Sequence, residues 1–551
     1  MSTTTTTTMT TTMTTPADLT GIPTEGIGVP RARQMLERAR WAARTFATYD
    51  RATTKRIVEA VAAVAEQGAE KYAAWAVRET GFGVEADKVV KNRLCSRGIA
   101  DAYRDHDFVT PRIDADRRIV EVPRPAGVVL ALTPSTNPVS TLYFKILLSL
   151  MTRNAVVLSP HPFAKECCAD AAHALAEAAV AAGAPDGVIQ VVEEPSVPLV
   201  EALMRDERTD VILATGGVAM VRAAYSSGNP AIGVGPGNVP VLVDASADLA
   251  KAAERLVASK AFDNSVLCTN ESVLVLEEAV ADRFLREMAR RGAHVLDDAD
   301  RDKVRDTVFP QGRFDTSLVG RSATDIAAKA GVRVAPRTRI LVAPFDLVVD
   351  EEPLAHEKLC PVLGVVRAPT AHRGVRTAAA VLRIGGAGHS AVVHSKDPQV
   401  VMEYAATVDV LRVTVNAGGS TGSAGFDTGL APSMTIGTGF TGRSSLGENL
   451  EPRHLLNHAR IAYNSDVREV FPDYAGIEPW HVPPPAVPPY PTASNVADRN
   501  AVAVSDHRAA PGRNGTTGIE TPGTETGQEP AELREELRRL IIEELNAIVR
   551  G

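Results

Sequence analysis

The sequence predicts an α/β protein built on doubly wound parallel sheets, and three observations predict it. From about residue 128 to 244, short runs rich in Val, Ile and Leu alternate with helix-length segments, the spacing of βαβ units. A second alternating series runs from about 247 to 430. Glycine-rich turns stand beside several of the strand-like runs, and ligands of such sheets bind at strand ends. The chain has 551 residues, too many for one ordinary core, so two or more domains are expected.

Residues 33–80 read as helical. RRIVEVPRPAGVVLAL (117–132) gives two extended stretches parted by Pro and Gly, the second being a buried strand at 128–132. TLYFKILLSLM (141–151) follows as a helix and AVVLS (155–159) as the next strand. FAKECCADAAHALAEAAVAAG (163–183) is periodic and helical, ended by Gly183 and Pro185. Strand VIQVV, a short helix and strands DVILA and VPVLVD complete the first series. The second series contributes SVLVL, RILVA, LGVVR, AVVHS and LRVTVN. A cleft between two such domains is a good place for chemistry.

Composition is globular, with 44% hydrophobic and 23% charged residues. The net charge of −8 argues against a nucleic-acid partner, which would need a basic face. No apolar run approaches the roughly eighteen residues of a membrane span. Five cysteines without CxxC spacing argue against a disulfide framework or a zinc ribbon and point to a reducing, cytoplasmic compartment. Residues 1–24 are Thr-rich, with neither the basic nor the apolar region of a targeting signal, and read as a disordered tail. Residues 482–530, rich in Pro, Gly, Ser and Thr, read as a linker. Beyond it, in 531–551, Leu533, Leu537, Leu540, Ile541, Leu545 and Ile548 form one stripe of an amphipathic helix. A helix of that length is marginal alone in water. It is expected to seek a groove, another copy of itself or the parent domain.

One stretch raises a question of chemistry. FDNSVLCTNESVLV (262–275) places Cys268 between a polar loop and a strand. A lone cysteine is more often a core residue than a nucleophile, so its surroundings decide. ATGG (214–217) follows a strand and opens a helix, where backbone N–H groups can face a pyrophosphate, although such a turn is often only a turn. AIGVGPGNVPVLV (231–243) packs glycines ahead of a strand without the GxGxxG fingerprint. Asn137, in the loop TPSTNP after strand 128–132, carries an amide able to donate to an oxyanion; a helix cap is an equal reading of the spacing. Cys167 and Cys168 on the periodic helix read as core residues, as do Cys95 and Cys360. His454 and His458 stand four apart, but no acid lies between them and no metal site is expected. NAGGSTGSAG (416–425) lacks GK[ST], so it reads as a mobile lid or loop near the substrate rather than a phosphate-binding loop.

TPSTNPVSTLYFKILLSLMTRNAVVLSPHP, AIGVGPGNVPVLVD, FDNSVLCTNESVLV and SMTIGTGFTGRSSLGENLEPRHLLN together resemble the CoA-acylating branch of the aldehyde dehydrogenase superfamily, over about residues 25–465. The resemblance implies a Rossmann-type cofactor domain at 25–235, including an oligomerisation hairpin near 108–125. It further implies a catalytic α/β domain at 236–430 and a return to the cofactor and oligomerisation region at 431–481. It implies that Cys268 is the nucleophile and that Asn137, with the Cys268 backbone N–H, holds the oxyanion. Thr133, Pro134, Ser159, Thr215, Gly216 and Gly217 match positions beside the cofactor, and Glu357 matches the glutamate that bonds the nicotinamide ribose. Ser159, Pro160 and His161 replace a lysine-containing loop of the hydrolytic branch. Hydrolytic members carry a water-activating glutamate where this chain has Gly233.

The chemistry of that departure stands without the family. Water has a pKa near 15.7 and needs a base to attack a thioester. A thiol is already a few per cent thiolate at neutral pH. A site lacking the base therefore favours transthiolation. The expected activity is oxidation of a short aldehyde, C2 to C3 with propionaldehyde favoured, using NAD and CoA and giving acyl-CoA, with NADP as the other cofactor the family admits. The alternatives are a hydrolytic enzyme that makes a carboxylate and a scaffold that has lost its chemistry. A homodimer or homotetramer is expected. The linker and terminal helix resemble the encapsulation peptides of bacterial microcompartment cargo, which implies shell or cargo proteins as partners of 531–551.

Overall fold

The computed structural model describes residues 29–479. The Thr-rich tail at 1–24, the linker at 482–530 and the helix expected at 531–551 lie outside the described residues.

Residues 33–80, expected as one helical region, form three helices, Val29–Phe46, Arg51–Gln67 and Ala69–Thr80. Asp50 caps the second, its carboxylate accepting the Thr53 N–H at 2.7 Å. The third closes on Gly81 in the left-handed region at φ 71°. A fourth helix, Glu85–Arg93, was not anticipated from the sequence and proves to border the site.

Among the described residues, fifteen strands build three sheets. Strands β1 (Arg112–Asp114) and β2 (Ile119–Pro125) form the expected extended hairpin. The first parallel sheet contains β3 (Val128–Thr133), β4 (Ala155–Pro160), β5 (Ile189–Val191), β6 (Val211–Thr215) and β7 (Ala231–Val234). Its order is β5-β4-β3-β6-β7, which winds out from β3 in both directions. β7 corrects the glycine turn expected at AIGV, since this segment pairs along β6 from Ala231 to Val234. The second parallel sheet contains β8 (Val239–Val243), β9 (Glu271–Glu277), β10 (Ala293–Val295), β11 (Ile340–Pro344), β12 (Val362–Ala368), β13 (Ala391–His394) and β14 (Val413–Val415), in the order β10-β11-β12-β9-β8-β13-β14. Finally β15 (Leu456–Ala462) pairs antiparallel with β2, making a three-stranded sheet with one edge at β15.

The helix Pro138–Met151 is buried at all fourteen positions, as its apolar run demands. It carries one lysine into the core. Lys145 is fully buried, and its Nζ donates to Leu132 O at 2.7 Å and Leu213 O at 2.9 Å. Burial holds its pKa well below the ordinary value. The lysine ties β3 to β6 near their carboxyl ends, where the winding reverses. Cys95, Cys167, Cys168 and Cys360 are all buried, as expected of core thiols.

Two local readings are sharpened. NAGGSTGSAG lies beside the cavity, which its Ala424 lines, but it is packed rather than open: Gly419–Gly422 form a short helix whose Gly419, Ser420 and Gly422 are buried. The Gly419 N–H donates to Glu271 Oε1 at 2.6 Å and the Ser420 N–H to Ser259 Oγ at 2.9 Å. The spacing of His454 and His458 is not helical, because the chain passes into β15 at Leu456. His454 instead bonds Glu448 at 2.9 Å and accepts the Glu451 N–H at 2.9 Å. Among the described residues, no helix is long and apolar enough to cross a membrane.

Candidate active site

Every residue the sequence singled out for chemistry or cofactor contact lines one cavity of about 710 Å³: Cys268, Asn137, Thr133, Pro134, Ser159, Thr215, Gly216, Gly217 and Glu357. The walls follow from topology. Thr133 and Pro134 stand where β3 ends, Ser159 is the next-to-last residue of β4, and Thr215–Gly217 carry β6 into the helix Val218–Tyr225. No side chain caps that helix at Gly217, so its first N–H groups are left for a ligand. A Cβ built on Gly217 meets nothing within 4 Å. An uncapped helix start, glycines beside open space and walls of Val, Met, Pro and Ala suit a nicotinamide dinucleotide, which needs pyrophosphate donors and apolar slots.

The opposite wall is polar and closely held. Cys268 is half-buried in a turn that Asn270 closes, accepting the Leu267 N–H at 3.0 Å. Thr269 Oγ1 donates to Ser420 O at 2.9 Å, so the short helix at 419–422 buttresses this turn. Gly237 passes directly behind it: a Cβ there would lie 2.0 Å from Cys268 O. The Gly237 N–H donates to Glu357 Oε1 at 3.1 Å, which ties the glutamate to the same spot. Burial pushes the Glu357 carboxyl up to about 8. Burial, with the Glu357 charge nearby, pushes the Cys268 thiol up to about 12. In the ligand-free protein both groups are therefore predominantly protonated at pH 7.

Asn137 sits at the N-cap position of Pro138–Met151, yet its side chain makes no cap bond. Its Oδ1 accepts from Lys91 Nζ, and its Nδ2 donates to Thr136 Oγ1 at 3.1 Å. Lys91 also bonds Asp263, and Lys88 Nζ reaches Asp263 Oδ2 at 3.0 Å and Thr136 O at 3.1 Å. All three charged residues are buried. Asp263, Asn264 and Ser265 have φ of 50°, 50° and 64°, three successive left-handed residues ahead of the cysteine. The turn is stapled by Asp263 Oδ1, which accepts the Val84 N–H at 2.6 Å, and by Asn264 Nδ2, which donates to Gly320 O at 2.9 Å. Lys88, Lys91 and Asp263 were missed from the sequence. The available signal was two lysines three apart on one helical face, which ordinarily means a solvated face.

Gly233, the position matched to the missing base, does not face the cavity. A Cβ on Gly233 would point at Val221 Cγ1, 2.6 Å away, and at Tyr225, and Gly233 does not line the cavity. From this strand end it is Val234 that lines it. The side chain facing the cavity here is therefore apolar. Among the lining residues the carboxylates are Glu201 and Glu357.

Comparison with known proteins places this geometry. The aldehyde dehydrogenase family profile matches residues 22–435. The bifunctional aldehyde-alcohol dehydrogenase AdhE of Escherichia coli is 37% identical over 444 residues, 80% of this chain and 50% of that protein. This chain thus spans about half of AdhE's length. The succinate-semialdehyde dehydrogenase (acetylating) of Clostridium kluyveri is 36% identical over 448 residues, 81% of this chain and 98% of that one. Among solved structures, an acetylating aldehyde dehydrogenase from Geobacillus thermoglucosidasius superposes with a TM-score of 0.78 at 37% identity, covering 80% and 98% of the two chains. Two propionaldehyde dehydrogenases, each 28% identical with a TM-score of 0.72, also match and cover 78% of this chain. One, from Rhodopseudomonas palustris, has propionyl-CoA bound and is covered over 94% of its length. The other, covered over 97%, comes from the fucose utilisation bacterial microcompartment of Clostridium phytofermentans.

Proposed function

The chain belongs to the aldehyde dehydrogenase family, and from that premise we propose that it is a CoA-acylating aldehyde dehydrogenase with Cys268 as nucleophile. The observation that carries this reading is the cavity wall. Cys268 and Asn137 line it together, while the strand end beside them presents Val234 and so supplies no carboxylate to activate water.

The Cys268 thiol gives up its proton to solvent, its thiolate adds to the aldehyde carbon, and the Asn137 amide N–H with the Cys268 backbone N–H takes the oxyanion. Thr133, Pro134, Ser159, Thr215, Gly216, Gly217 and Glu357 would hold a nicotinamide cofactor, which when bound would supply the hydride acceptor needed to leave an acyl thioester on Cys268. The thiolate of CoA then attacks the acyl carbon. The carbon–sulfur bond to Cys268 breaks, and the cysteine departs as thiolate. The reverse sequence turns acyl-CoA into aldehyde by the same groups.

Finer assignments extend the resemblance read in the sequence, and two solved propionaldehyde dehydrogenases support the first-named substrate. NAD is the cofactor, a C2 to C3 aldehyde with propionaldehyde first is the substrate, and the hairpin near 108–125 joins subunits of a dimer or tetramer. The cofactor half comprises 25–235 with the return at 431–481, and the catalytic half 236–430. Residues 531–551 dock on microcompartment shell or cargo proteins; unchanged co-localisation with shell protein after their deletion removes that assignment.

A hydrolytic reading has one observation in its favour, the Glu357 carboxyl lining the same cavity. With its pKa raised to about 8, it is mostly protonated at neutral pH and a poor base there. The test is aldehyde with NAD, with and without CoA, followed by reduced-cofactor absorbance, with Cys268→Ala as control. CoA-dependent turnover that Cys268→Ala abolishes is expected. Rapid release of free acid without CoA overturns the proposal.

A further inference from the structure

The oxyanion role of Asn137 needs its amide N–H to face the reacting carbonyl, and the choice between its oxygen and its nitrogen is an orientation problem. An ammonium has three donors and no acceptor. Whichever atom of the Asn137 amide faces Lys91 must therefore be the oxygen. Lys91 Nζ lies within hydrogen-bond distance of Asn137 Oδ1, so Nδ2 is turned to the other side, where it bonds Thr136 Oγ1 with one N–H to spare. Thr136 and Asn137 both line the cavity.

Lys91 is itself fixed. It is 3% exposed and bonds Asp263, which is fully buried. Lys88, at the same Asp263 oxygen, holds the Thr136 carbonyl next door. Asp263 begins the left-handed run that leads to Cys268. One buried carboxylate thus registers both the loop bearing the nucleophile and the lysine that turns the amide. A structural ion pair has no need of a third, neutral partner reaching into the cavity, and the N-cap bond that Asn137 forgoes is a cost that a purely structural arrangement would not carry.

We propose that Lys91, anchored on Asp263, is a positioning residue that orients the Asn137 amide so that its N–H faces the acyl carbon at Cys268. This rests on the acylating reading above, so the test must separate the two. It uses the first half of the reverse reaction, which involves no nicotinamide. Cys268 attacks the thioester carbonyl of propionyl-CoA, the carbon–sulfur bond to CoA breaks, and CoA leaves as thiolate. Acyl-Cys268 is followed by intact-protein mass and released CoA by a thiol reagent.

Removing an oxyanion donor costs about 100-fold or more, so Asn137→Ala sets the floor. Lys91→Met slows acylation at least tenfold on its own. In the Asn137→Ala background it adds nothing, because the amide it orients is gone. Lys91→Gln restores an N–H donor and recovers most of the rate. Alkylation of Cys268 by iodoacetamide, which forms no oxyanion, stays within about twofold of wild type in every Lys91 variant. Wild-type protein that accepts no acyl group from acetyl- or propionyl-CoA overturns the functional reading and this inference with it. Any one of four results with active wild type overturns the inference alone: undiminished acylation in Lys91→Met, a further slowing in the Asn137→Ala background, no recovery in Lys91→Gln, or lost alkylation.

Discussion

The wall that holds Thr133, Pro134, Ser159, Thr215, Gly216 and Gly217 is made of parallel strand ends and the turns that follow them. The wall that holds Cys268, Glu357 and the Asn137 amide is made of side-chain bonds between distant segments. These join Lys91 to Asn137 across 46 residues, Gly237 to Glu357 across 120 and Lys91 to Asp263 across 172. The first wall is a by-product of winding a sheet, and Lys145 needs only two backbone carbonyls to clamp it. The second must be specified group by group. Changes on the reacting wall should therefore be costly in chemistry, and changes on the cofactor wall should register as modest shifts in stability or ligand affinity.

The widest swing tests whether the reacting wall is as dry as its burial implies. Because the Cys268 thiol is pushed up to about 12, the neutral form persists through neutral pH and thiolate grows with every added unit. Iodoacetamide alkylation of ligand-free protein should climb about tenfold per pH unit from 7 to 10, some thousandfold in all. A plateau near pH 8.5 would mark an ordinary solvated thiol.

Gly237→Ala comes next. Its methyl would stand 2.0 Å from Cys268 O, so the nucleophile must shift, and a displacement of about 1 Å costs on the order of a hundredfold. Steady-state turnover is the readout, and unimpaired kcat would break the contrast between the walls. Lys145→Met leaves the Leu132 and Leu213 carbonyls buried without their donor. Urea denaturation should show a loss of about 2 kcal/mol or more, with no effect of that size on alkylation of Cys268.

The smallest effect lies at the open turn. Gly217 has φ −65° and ψ 161°, which alanine adopts without strain. Gly217→Ala should stabilise the ligand-free protein by about 0.4–1 kcal/mol while raising KM for the cofactor, since the methyl enters the cavity. A gain in stability with an unchanged cofactor KM would remove that turn from the cofactor site.

The same contrast explains what could be read beforehand. Most strands of both parallel sheets were visible because buried parallel strands are continuous apolar runs, while Thr133 and Ser159 at their ends came from the resemblance and Thr215 from the glycine turn after its strand. Cys268, Asn137 and Glu357 rested on resemblance, and the cavity brings them together. Lys88, Lys91 and Asp263 were illegible, since nothing in KVVKNR says that its lysines face inward; the partner that makes burial tolerable lies far along the chain. β7 was hidden because four residues flanked by glycines carry too little pattern. The lid or loop expected at 416–425 does border the cavity at Ala424, but its glycines mark close packing rather than openness, since a Cβ on Gly419 would meet Thr269 O and Glu271. Gly233, which the resemblance matches to the missing base, points away from the cavity while its neighbour Val234 lines it, and in a strand one residue is the difference between two faces.

Three consecutive residues of positive φ before Cys268, each disfavoured by about 1–2 kcal/mol, mean that this turn does not hold its own shape. Its instructions are kept at Val84, Lys88 and Gly320. A protein engineer who grafts FDNSVLC onto another scaffold transplants the reagent without its mould. A chimera between relatives should keep its nucleophile in register only when the segments around 83–91 and 320 travel as cargo with it.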